Sequence, residues 1–83
     1  MTKPTVHLNG TSRSDLLKGY ADAFHAISEA LEVVAQARPN ARDYYVQGDN
    51  AYRQAAAEHA AREAKLRDVR DELSALHDAV VDA

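Results

Sequence analysis

The stretch Leu17-Lys18-Gly19-Tyr20-Ala21-Asp22-Ala23-Phe24-His25-Ala26-Ile27-Ser28-Glu29-Ala30-Leu31-Glu32-Val33-Val34 (residues 17–34) decides the fold. Leu17, Tyr20, Phe24, Ile27, Leu31 and Val34 recur at alternating intervals of three and four. That spacing lines one face of an α-helix, and in heptad form the face calls for a partner helix. Downstream, Tyr52, Ala55, His59, Arg62, Leu66, Val69, Leu73, Leu76 and Val80 repeat it. The segment between, Pro39-Asn40-Ala41-Arg42-Asp43-Tyr44-Tyr45-Val46-Gln47-Gly48, breaks the pattern. The expectation is an all-α, antiparallel two-helix hairpin, coiled-coil-like along its seam.

Working outward from this stretch sets the boundaries. Residues 1–12 read as a short extended arm: Pro4 blocks an early helix, Val6 and Leu8 alternate with polar neighbours, and Asn9-Gly10 makes a turn. The arm is expected to lie on Leu73, Leu76 and Val80, giving Val6 and Leu8 apolar cover. Ser12 and Asp15 fit a capping box opening the first helix, over 13–37. Proline disfavours helical geometry in the residue before it, so Arg38-Pro39 ends that helix. The loop covers 38–49, with Asp49 as the expected cap of a second helix over 50–80. Glu58–Arg62 and Glu63–Arg67 form (i, i+4) pairs and are read as an exposed face. Residues 1–83 make one domain.

A chain of this size buries only roughly 60 to 65% of its unfolded surface. Seventeen of its 83 residues are Ala, with one Phe, one Ile and no Trp. Leu16, Ala23, Ala30 and Ala37 form a second seven-residue row beside the first stripe, and Val33 and Val81 lie off both seams. Self-association is the simplest way to bury that surface, so a homo-oligomer is expected. Leu17, Tyr20, Phe24, His59, Arg62 and Leu66 are its expected interface residues. His59 and Arg62 interrupt an apolar seam, where polar residues set register or oligomer state; the alternative is a ligand-facing pair in an oligomer cavity.

A net charge of −3 with both signs interspersed lacks the clustered basic face of nucleic-acid domains, so generic DNA binding is not expected. The absence of Cys leaves no thiolate metal site or disulfide. No apolar run approaches the roughly 20 residues of a membrane span, and no signal-peptide pattern opens the chain. A cytoplasmic protein without membrane contact is expected. No catalytic motif is present, so the chain is read as a non-enzyme without metal or cofactor. Asp22, His25 and Glu29 share a helix face, but no second ligand cluster supports a metal there.

Two places carry binding chemistry. Gly10, Thr11, Ser12 and Arg13 open the first helix, where free amides favour an anion such as phosphate; a plain capped turn accounts for the same residues. Arg42, Tyr44, Tyr45 and Gln47, with Tyr52 and Arg53 a turn into the second helix, combine rings that stack on bases with guanidiniums that pair with phosphate. In the alternative, one tyrosine plugs the open end of the hairpin and Arg42 caps the first helix.

The segment His7-Leu8-Asn9-Gly10-Thr11-Ser12 and the pattern Arg42-Asp43-Tyr44-Tyr45 followed by Gly48 resemble small proteins of tailed phages and prophages. In architecture the chain is similar to phage helical-hairpin proteins that oligomerise and sequester cyclic-nucleotide immune signals. That resemblance implies a non-enzymatic sponge holding a small nucleotide between subunits, in the cytoplasm of the host cell. The alternatives are an interaction module that inhibits a host defence or regulatory protein, and a small structural or assembly protein.

Overall fold

The computed structural model describes residues 1–83. Two helices, α1 (Arg13–Gln36) and α2 (Ala51–Val81), pack against each other along their length. Two short 3-10 turns, Ala41–Asp43 and Tyr45–Gln47, join them, and there is no strand. The molecule measures 62 × 20 × 17 Å. Its radius of gyration, 18.4 Å, compares with about 12 Å for a globule of this length. There is one layer of two helices and no closed core.

Local chemistry explains the boundaries. The Asp15 amide donates to Ser12 Oγ at 3.1 Å, so the expected N-cap is in place. At the other end Ala37 leaves helical geometry and Arg38 N–H closes on the Ala35 carbonyl at 3.2 Å. Asn40 Oδ1 then accepts from the Arg42 amide at 3.0 Å, starting the first 3-10 turn. Gly48, at φ 109°, is the one residue in the left-handed region and turns the chain toward α2. The residue preceding α2 is Asn50, not Asp49, and it makes no side-chain cap bond. Each helix end falls within one residue of its expected position.

The seam of α2 differs from the expected one. Ala56, His59, Glu63, Leu66, Arg70, Leu73, His77 and Val80 are buried or half-buried, whereas Arg62 and Val69 are exposed. Both rows share His59, Leu66, Leu73 and Val80, and both have heptad spacing. The hairpin buries Glu63 in place of Arg62 and half-buries Arg70 in place of Val69, while Ala55 and Leu76 of the expected row stay half-buried. Arg62 is therefore a surface residue, and Glu63, expected on an exposed face, is 5% exposed. On α1 the stripe from Leu17 to Val34 is half-buried throughout.

The arm departs from expectation too. Residues 1–12 form no helix or strand, and Leu8 is fully exposed instead of covering Leu73, Leu76 and Val80. Met1 lies beside Asp68, Asp71, Glu72 and Ala75. Val80 is the only fully buried apolar side chain. A Val80→Ala change is therefore expected to cost ~1.5–3 kcal/mol, and Leu8→Ser less than ~0.5 kcal/mol. Urea unfolding followed by circular dichroism measures both.

Candidate functional site

The chain concentrates its polar chemistry at the closed end of the hairpin. The buried Glu63 carboxylate receives two parallel hydrogen bonds from Arg38, Nε at 2.8 Å and Nη2 at 2.9 Å. This fork matches the planar guanidinium to the carboxylate. Arg67 stands 3.7 Å from the second oxygen and His59 Nε2 is 3.6 Å from the first. The Arg38 fork, with Arg67 nearby, holds the Glu63 carboxyl below its ordinary pKa and outweighs the opposing effect of burial.

His59 closes the same end. Its Nε2 lies 2.8 Å from the Val34 carbonyl. A carbonyl only accepts, so Nε2 carries the proton. In the neutral ring Nδ1 then accepts from Arg62 Nη1 at 3.4 Å. The bond to Val34 adds a second donor to a carbonyl in the last turn of α1 that already accepts from the Ala37 amide at 3.0 Å. At the far end the relation is mirrored: Arg13 of α1 donates to the Val80 carbonyl at 3.2 Å and the Val81 carbonyl at 2.6 Å. Each helix thus caps the C-terminus of the other.

The two groups of expected ligand residues stand at opposite ends of the molecule. Gly10, Thr11 and Ser12 precede α1, and Gly10 N–H donates to the His7 carbonyl at 3.2 Å. The amides of Arg13 and Ser14 make no hydrogen bond within the chain. The Arg13 side chain is committed to α2, and Asp15 places a negative charge in the same turn. The turn therefore has free donors but no cation of its own pointed at it.

At the other end, Tyr44 is half-buried and Tyr45 is 75% exposed, with Val46 exposed beside it. One tyrosine is packed and the other is presented. Arg42 does not cap α1; its Nε lies 3.4 Å from Asn40 Oδ1. Arg53 is exposed and makes no ion pair. The 24 residues of α1, at ~1.5 Å per residue, put about 36 Å between these two groups.

Of the expected interface residues, Leu17, Tyr20, Phe24, His59 and Leu66 are buried or half-buried within one chain, whereas Arg62 is exposed. Tyr20 and Phe24 line a shallow hollow of about 240 Å³ with His25, Ser74 and His77. No three His, Asp or Glu side chains gather where they would hold a metal ion, and no helix is long and apolar enough to cross a membrane.

Sequence reasoning missed a hollow of about 320 Å³ in which Arg38, Arg67 and Arg70 surround Glu63, with Ser28 and Glu32 on its α1 side. The available signal was the seven-residue row of Glu63, Arg70 and His77, four residues beyond each of His59, Leu66 and Leu73. No family model, curated protein or solved structure matches the chain.

The Glu63 pair carries a pH signature. A carboxylate whose folded-state pKa is depressed stabilises the fold above its unfolded value, here 4.5. That contribution is lost as pH falls through the folded-state pKa. Glu63→Gln is expected to melt below wild type at pH 7, with the gap closing as pH drops below about 4.5. Thermal melts from pH 7 to pH 3 read it directly; a gap independent of pH contradicts it.

Proposed function

We propose that this chain is a non-enzymatic binding protein that works as a homo-oligomer and captures a small nucleotide, in the manner of a phage sponge for immune signals. The observation that carries the reading is the loop tip. Tyr45 is exposed although aromatic side chains are scarce in this chain, and Arg42 and Arg53 nearby engage no carboxylate. A base stacks on a presented ring, and guanidiniums supply the counter-charge a phosphate needs. Thr11 and Ser12, with the free amides opening α1, are suited to a phosphate. The hairpin itself offers only shallow hollows, which fits a ligand held between subunits.

A second reading rests on the pair Tyr45 and Val46, both about three-quarters exposed. Exposed aromatic residues often anchor protein partners, so the same tip suits a module that inhibits a host protein.

Native mass spectrometry against a panel of cyclic and linear signalling nucleotides separates the two. A retained nucleotide of defined stoichiometry supports capture, and a host protein co-purifying with nucleotide-free chain supports the second reading. For a nucleotide that binds, Tyr45→Ala is expected to weaken affinity at least ~10-fold, from a stacking contribution of about 1–3 kcal/mol per base, with oligomer mass unchanged. Arg42→Ala should weaken it in the same direction. If neither change alters affinity, the loop is not the site.

A further inference from the structure

The flank of α1 turned away from the arginine-lined hollow has a regular composition. Leu16, Gly19, Ala23, Ala26, Ala30, Val33 and Ala37 repeat at intervals of three and four. They form a second heptad row about 100° round the helix from the seam. Gly19, Ala26, Val33 and Ala37 are exposed, with Val33 at 64%. A side chain built on Gly19 would meet nothing within 4 Å. On the same side of the hairpin α2 turns out Val69, 43% exposed. The chain as a whole exposes 6176 Å², against ~4,900 Å² for a typical monomer of its mass. The excess of ~1,300 Å², spread over the elongated hairpin, its arm and its loop, exceeds the ~800 Å² that each partner contributes to a standard interface.

We propose that a second copy of this chain docks antiparallel on this α1 face, and that the pairing brings the Gly10-Thr11-Ser12 turn of one copy beside the Arg42–Tyr45 loop of the other. The row is self-complementary in that direction. With Ala26 at the two-fold axis, Leu16 meets the partner's Ala37, Gly19 meets the partner's Val33, and Ala23 meets the partner's Ala30. Every larger residue faces a smaller one, so two α1 helices can approach near the ~8 Å lower limit of helix packing. A parallel pairing would set Val33 against Val33 and Gly19 against Gly19, crowding one level and leaving a gap at another.

The same antiparallel pairing sets the start of α1 in one copy beside the end of α1 in the other, from which the Arg42–Tyr45 loop leaves. The turn with free amides and no cation then gains one from its neighbour, and the loop gains a set of phosphate donors. Two equal composite sites result per dimer. This step rests on the nucleotide reading of those residues, whereas the docking face does not.

Cysteine cross-linking tests it, since the chain has no native Cys. Under oxidation Ala26→Cys is expected to link to itself at twice the chain mass. Gly19→Cys and Val33→Cys should each stay single when alone and link when mixed. Ala61→Cys, exposed on the outer side of α2, should stay single. Circular dichroism of the reduced variants confirms that each retains its helices. If Ala26→Cys stays single, or Gly19→Cys links to itself, the antiparallel dimer is overturned. An Ala26→Arg chain that remains helical but runs at half the wild-type mass supports the docking face, and one of unchanged mass refutes it. Cross-links in the expected pattern without any nucleotide bound by the linked dimer uphold the pairing and refute nucleotide capture. A nucleotide bound by chains that do not link does the reverse.

Discussion

The forked pair between Arg38 and Glu63 sets the phase of α2, and the rest of the architecture follows from that phase. Helix α2 carries two overlapping heptad rows through His59, Leu66, Leu73 and Val80. Apolar burial alone favours the row through Val69 and Leu76. The fold seats Glu63 and Arg70 in place of Arg62 and Val69, and keeps Leu76 half-buried beside His77. A buried carboxylate is costly unless it is paired and hydrogen-bonded, and Glu63 is both. Because the two rows share four positions, turning α2 from one to the other takes about half of the ~100° step between neighbouring residues, and it would swing Glu63 away from Arg38.

That choice leaves apolar surface outside. Val69 and Val33 turn out, and the small-residue flank of α1 faces solvent. Meanwhile the helices hold each other at both ends, Arg13 on the last carbonyls of α2 and His59 on the last turn of α1. Ends tied in this way fix the register of the hairpin, so the outward flank keeps a defined shape. A rigid element with a self-complementary face is what an isologous dimer needs. Under the proposed nucleotide reading, antiparallel pairing would bring together the two groups of binding residues that stand at opposite ends of one chain.

The parts of this fold that depend on near neighbours are legible in the sequence. The α1 stripe, the Ser12 cap and the stop before Pro39 each rest on residues within a turn or two of one another, and each stands where the spacing put it. The phase of α2 is not legible, because it is decided by partners 25 residues apart and the two rows are nearly equal in spacing. Arg13 reads as a phosphate ligand in the sequence, but its hydrogen-bond partners lie 67 and 68 residues away. Leu8 reads as half of an alternating apolar pair but is fully exposed, whereas its partner in the pattern, Val6, is half-buried. At the loop, sequence spacing could not say which tyrosine packs; the structure seats Tyr44 and presents Tyr45.

Small-angle X-ray scattering of the wild-type protein tests the central claim, that this hairpin is half of a side-by-side antiparallel pair. The account predicts a particle of two chains whose longest dimension stays close to the 62 Å of one hairpin. A one-chain particle of that length, or a two-chain particle nearly twice as long, would contradict it.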